Sequence, residues 1–385
     1  MTAPRPGIYL DYNATAPLAA ECMDAVVETL ERARGNPSSK HHMGEQSKTM
    51  VNVARAQVAA LLKASAAEVL FTSGGTESNH HAIVGALALQ PQRRHVVTSV
   101  VEHVSTLALL RHLEQSQGVR VTYVPVDSAG RIDPAHIAAA VTPDTALVTL
   151  LWANNETGVV SPVHEAARCA QANGALFHTD AVQAVGKIPI DVTALSVDLI
   201  SVSGHKLHAP TGIGALYVRK GVKLPPLLHG HQERSRRGGT ENIAGIVAFG
   251  VAALLAGDHV RDDTIRIAAL RDRLEQGLLA RIPGAHVNGA GAERVANTSN
   301  IRFGRVDGDV VVDRLDRFGI CVSQGAACSA GGSEPSHVLT AMGLPREGAL
   351  ASLRFSLGRY TTTAEIDTVL AVLPQVIATL PAVAA

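Results

Sequence analysis

Aromatic residues make up only 3% of the 385-residue chain, with a single tryptophan, so its core has to be built from aliphatic side chains and alanine. Net charge is also missing. The 34 Lys and Arg balance 34 Asp and Glu, which removes any global electrostatic reason to expect nucleic acid or an anionic membrane as a partner. Cysteine is sparse: Cys22, Cys169, Cys321 and Cys328 form no C-x-x-C unit and no disulfide framework, a pattern expected in a reducing compartment. No apolar stretch follows a basic region at the N-terminus, and the longest uninterrupted apolar run, 243–257, is too short to span a bilayer. A secretory signal and a membrane span are therefore not expected, and the cytoplasm is. Neither G-x-x-x-x-G-K-[ST] nor G-x-G-x-x-G occurs, which argues against ATP and dinucleotides. The 17 histidines show neither H-E-x-x-H nor finger spacing, so no metal is expected.

What is present is an alternation. Short β-branched runs at 69–71, 95–99, 120–124, 146–151, 175–178 and 197–202 are separated by stretches of helical spacing, and 213–218 adds a further strand. Apolar strands divided by helices indicate an α/β fold with a mostly parallel sheet covered on both faces. The apolar helix 243–257 gives way to a polar segment, 258–263, and then to a charged helix, 264–281. The expected division is an N-terminal segment 1–15, a large domain 16–257 and a smaller α+β domain 258–385, the last carrying scattered strands near 300–303 and 352–355.

Three motifs close strands. Thr72-Ser-Gly-Gly-Thr-Glu-Ser78 follows one strand and opens a helix. Free amides at a glycine-rich helix start favour an anion such as a phosphate, although an ordinary cap at Ser73 or Thr76 accounts for the same residues. Asp180 ends the strand at Phe177-His-Thr-Asp180, where ligands of open α/β sheets bind, and it is equally placed to cap a following helix. Lys206 follows Ser203-Gly-His205 at the end of another strand. A desolvated lysine there is nucleophilic, and a solvated one is only a cation. Together the three suit pyridoxal phosphate, which needs a phosphate cradle, a carboxylate for its pyridine nitrogen and an amine for its aldehyde. His103 and Asn155 also follow strands, and Arg354 is an isolated charge inside one, suited to a two-pronged carboxylate contact or to an ion pair. Cys328 lies in Gln324-Gly-Ala-Ala-Cys-Ser-Ala-Gly-Gly332, whose small side chains leave a sulfur accessible as a nucleophile.

Across nearly its whole length the chain resembles the pyridoxal-phosphate cysteine desulfurases. The resemblance rests on Leu10-Asp-Tyr-Asn-Ala-Thr15, Thr72–Ser78, Asn154-Asn-Glu-Thr-Gly158, Asp180–Gly186, Ser203–Lys206, Arg237-Gly-Gly-Thr-Glu-Asn242, the Cys328 segment and Arg354-Phe-Ser356. Trp152–Gly158, Gly204–Pro210 and His231-Gln-Glu-Arg234 are similar to the nitrogen-fixation branch of that family. The resemblance implies a fold-type-I, aminotransferase-like homodimer with a seven-stranded sheet. It implies Lys206 as the Schiff-base lysine, Asp180 at the pyridine nitrogen, His103 stacked on the ring as proton carrier and Gln183 on the ring hydroxyl. Gly75, Thr76, Ser203 and His205 would hold the phosphate, with Thr240 reaching in from the other subunit, and Asn155 and Arg354 would bind the substrate carboxylate. The implied reaction takes L-cysteine to alanine, leaves the sulfur as a persulfide on Cys328 and passes it to an iron–sulfur scaffold or another acceptor, with nitrogenase cluster assembly as the expected use. Other lyases or aminotransferases of this cofactor, including one acting on selenocysteine, and a non-catalytic scaffold are the alternatives. The segment 228–233 has fewer glycines than the family's usual run, and Thr211 and Gln324 stand where lysine and serine are common.

Overall fold

The computed structural model describes residues 7–304, 306–324 and 334–381. Twelve strands are found among them: β1 (Ile8–Tyr9), β2 (Val69–Thr72), β3 (His95–Ser99), β4 (Arg120–Val124), β5 (Thr145–Leu151), β6 (Leu176–Asp180), β7 (Leu199–Ser203), β8 (Gly214–Val218), β9 (Ala285–Asn288), β10 (Thr298–Phe303), β11 (Ile320–Cys321) and β12 (Ser352–Ser356). Seven of them form one sheet in the order β2-β8-β7-β6-β5-β3-β4. The pairs from β4 through β7 are parallel, and β8 runs antiparallel to both of its neighbours. β5 is buried at all seven positions, as a strand covered on both faces must be. The expected α/β fold with a mostly parallel seven-stranded sheet is what the chain forms.

This topology gathers functional side chains at one edge. Register pairs Leu151 with Asp180 and Asp180 with Ser201, so β5, β6 and β7 end together. β2 lies antiparallel to β8 and therefore ends on the same side, with Thr72 facing Gly214 and Gly214 facing Ser203. Gly214 makes that close approach possible: a Cβ there would lie 2.6 Å from the Val202 carbonyl and 2.7 Å from the Gly74 Cα.

A second layer of structure has its own core. β12-β10-β9 form an antiparallel sheet, and β1 pairs in parallel with β11. The helices Gly308–Arg317 and Thr363–Ala378 contribute Val311, Leu315, Ile366, Val369 and Leu373 to this core, and Leu10 of the N-terminal segment is fully buried in it.

One element departs from the sequence reading. The helices expected at 243–257 and 264–281 are a single 39-residue helix, Ile243–Arg281. Its first half packs into the large core through Ile246, Phe249 and Ala253, and its second half into the smaller core through Leu270, Leu274 and Leu278. The polar segment between them is the exposed stretch where the helix crosses from one core to the other. It holds no proline, so the helical hydrogen bonds continue. By length and composition alone this helix could cross a membrane; its buried apolar residues line the two cores, while Leu254, Ile265 and Leu279 are exposed.

Candidate active site

The strand ends enclose a cavity of ≈ 300 Å³ lined by Gly75, Thr76, His103, Asn155, Asp180, Gln183, Ser203, His205, Lys206 and Arg354. Ten of the residues singled out in the sequence are thus brought together. Thr240 is exposed and does not line this cavity, and Cys328 lies outside the described residues.

The helix Gly75–Leu89 starts at this edge. Its N-cap is Gly74, at φ 156° and ψ −176°, with no side-chain cap. That backbone region is open essentially to glycine alone. A cap by Ser73 or Thr76 is therefore not what forms; instead Glu77 reaches back to accept from the Ser73 amide at 2.8 Å. The first amides of the helix are left facing the cavity side of Gly75 and Thr76, an arrangement that favours an anion.

Asp180 is buried and held at both oxygens, by the Asn79 side-chain amide at 2.7 Å and the Val182 amide at 3.0 Å. It caps no helix, so its carboxylate stays directed at the cavity. Lys206 Nζ donates to the carbonyls of Asn13 and Ala14, each at 2.5 Å. His103 starts the helix Val104–Gln117 by accepting from the Ser105 amide at 3.2 Å, which orients its ring. Burial, with the charge of Lys206 adding to it, pushes the His205 imidazole down to about 4, so this ring is neutral at neutral pH. Burial also lowers His103, against the pull of Asp180.

Arg354, buried on β12, donates to Asp11 at 2.7 Å and to the Asn155 carbonyl at 3.1 Å. Of its two expected roles, the ion pair is present, and the guanidinium also lines the cavity. Three contributors escaped the sequence reading. Asn13 and Asn79 line the cavity and Lys187 bonds to its wall. Asn13 sits within a motif that had been noticed, but nothing in the local pattern distinguishes it from a turn residue.

A doubly wound sheet with a lysine amine, a buried strand-end carboxylate and an uncapped glycine-rich helix start in one cavity defines an enzyme of the pyridoxal-phosphate aminotransferase type. The chain belongs to the aminotransferase class-V family, whose family model matches residues 8–369. It is 52% identical over 377 residues to "Cysteine desulfurase 2" of Trichormus variabilis, covering 98% of this chain and 94% of that protein. It is 47% identical over 375 residues to "Cysteine desulfurase NifS" of Azotobacter vinelandii, covering 97% and 93%. Among solved structures, a "NIFS-like protein" superposes with a TM-score of 0.90 at 34% identity, covering 97% of this chain and 99% of that one. A structure described as "SspA in complex with cysteine" superposes with a TM-score of 0.81 at 34% identity, covering 92% and 100%.

Proposed function

We propose that this protein is a cysteine desulfurase that converts L-cysteine to L-alanine and supplies the sulfur for iron–sulfur cluster assembly. The observation that carries the reading is the convergence of Lys206, Asp180 and Arg354 on one cavity whose floor is an uncapped helix start, in a chain about half identical to named cysteine desulfurases. The residues fit pyridoxal phosphate. A Cβ at Gly75 would lie 2.8 Å from Val182 Cγ2, so only glycine keeps this part of the cradle open.

Lys206 supplies the amine for the cofactor's aldehyde, Asp180 the anion for its ring nitrogen, and Gly75, Thr76, Ser203 and His205 the donors for its phosphate. Gln183 would hold the ring oxygen and His103 would stack on the ring, both lining the cavity. Thr240 serves the partner subunit of a homodimer. When bound, the cofactor supplies an electron sink for the carbon that carries the substrate's amino group. Arg354 and Asn155 orient the substrate carboxylate, a guanidinium fork being matched to its two oxygens. Lys206 and His103, which line the same cavity, would move protons to and from the substrate carbon. Cys328 attacks as a thiolate on the substrate sulfur. An S–S bond forms, the C–S bond breaks with its electron pair left on carbon, and a proton delivered to that carbon completes alanine. The persulfide on Cys328 then passes to an acceptor protein. The similarity to the Azotobacter protein named NifS supports nitrogenase cluster assembly as the use.

Mass spectrometry of the Cys328 peptide tests the sulfur carrier. After incubation with L-cysteine and no added thiol, the peptide gains one sulfur atom, and the gain disappears in Lys206→Ala. A persulfide found on Cys22, Cys169 or Cys321 instead would refute the assignment.

A further inference from the structure

A second lysine amine stands beside the site, and the mechanism above does not use it. Lys187 is half-buried, donates to Asn13 Oδ1 at 3.0 Å and also donates to Gln183 Oε1. Carboxamide nitrogens offer no lone pair, so a lysine that donates to a carboxamide must face its oxygen. Each contact therefore selects one of the two orientations open to an amide side chain.

For Gln183 the selection turns Nε2 away from Lys187, and it donates to the Asn13 carbonyl at 3.0 Å. For Asn13 the side-chain oxygen is taken by Lys187 and by Asn297 Nδ2 at 3.0 Å. Its Nδ2 is then left to donate to Thr298 Oγ1 at 2.8 Å and to the Asn155 carbonyl at 3.1 Å. The same Asn13 carbonyl that accepts from Gln183 also accepts from Lys206 Nζ at 2.5 Å. Two amines thus hold one asparagine, Lys206 through its main chain and Lys187 through its side chain. Both also line a second, small cavity of ≈ 60 Å³.

We propose that Lys187 is a positioning residue for the reactive amine. By fixing the Asn13 side chain and turning Gln183 Nε2 onto the Asn13 carbonyl, it holds in place the main-chain acceptor that Lys206 Nζ uses, and it places a second amine close to the first. Burial, with the charges of Lys206 and Arg354 adding to it, pushes Lys187 well below the usual lysine range. The other charged or titratable groups around the pair are His103, Asp180 and His205 in the large cavity, and Tyr12, Asp263, His208 and Arg359 in the small one.

The inference rests on the cofactor reading above, and the test separates the two. The visible spectrum of the holoenzyme is titrated with pH for wild type, Lys187→Met and Lys187→Gln. The second variant keeps a donor of similar reach and serves where the first does not fold. Where Lys187 carries its proton its charge disfavours the protonated form of the Lys206 linkage, and its removal also releases the carboxamides it orients, so the midpoint of the spectral change moves up by about one unit in either variant. A pH-dependent wild-type band whose midpoint is unmoved in the folded variants overturns this inference alone. A wild-type protein that binds no cofactor overturns the reading beneath it and this inference with it.

Discussion

Burial sets the charge of Glu102, the residue that precedes His103. Its carboxyl is completely enclosed, accepts from Ser99 Oγ at 2.6 Å and from the Leu151 amide at 2.7 Å, and is pushed up to about 8, chiefly by desolvation. The unfolded chain ionises this group near 4.5, well before the folded chain does. Its contribution to stability is therefore complete below about pH 4.5 and is lost as the pH rises toward 8. Glu102→Gln keeps the shape, can accept from the Leu151 amide through Oε1 and donate to Ser99 Oγ through Nε2, and removes the titration. Its melting temperature should fall less than that of wild type between about pH 5 and 8, and parallel curves for the two proteins would show that Glu102 is not the titrating group. At this scale Lys206, Asp180 and His103 are legible in the sequence because each lies at or within a few residues of a strand's carboxyl end, where the topology of α/β sheets puts ligands. Asn13, Asn79 and Lys187 were not. The partners that give them meaning are Asn155 and Thr298 for Asn13, and Asp180 for Asn79. Lys187 depends on both Asn13 and Gln183. Most of these contacts span far more sequence than any local pattern covers.

Elements were legible where period and composition agreed. The buried strands read as continuous apolar runs. The join between the two halves of the helix Ile243–Arg281 was misread because a polar stretch looks the same whether it is a loop or the wet side of a helix. The segment Glu233-Arg234-Ser235 is another case. All three residues have left-handed φ, at 46°, 59° and 61°, which costs about 1–3 kcal/mol per residue and must be offset by contacts elsewhere. The offset is visible: Arg55 meets Glu233 through two bonds of 2.6 Å, both side chains are buried, and Glu233 also accepts from the Phe71 amide at 3.1 Å. Removing one partner leaves a buried charge unpaired, so Glu233→Ala should cost about 3–5 kcal/mol in denaturant unfolding. A loss below about 1 kcal/mol, the range of exposed pairs, would mean that water reaches the pair.

On the scale of the whole molecule, the N-terminal segment ties the two cores around the cavity. Leu10 is buried in the smaller core, Asp11 bonds Arg354, and Asn13 bonds groups from both sides of the cavity. The chain's composition and strand alternation pointed to the α/β class, and the family motifs pointed to the cavity. How the N-terminus completes that cavity emerged only from the long-range pairing of β1 with β11 and of Asp11 with Ser356. On the function proposed above, this cavity and Cys328 together convert L-cysteine to alanine and transferable sulfur. The most direct measurement is the alanine and sulfide released from L-cysteine with a thiol reductant, for wild type beside Cys328→Ala and Lys206→Ala. The account predicts equal amounts of alanine and sulfide from wild type and neither product from the two variants. Full activity in Cys328→Ala would contradict the persulfide route, and product from Lys206→Ala at the wild-type rate would contradict the site itself.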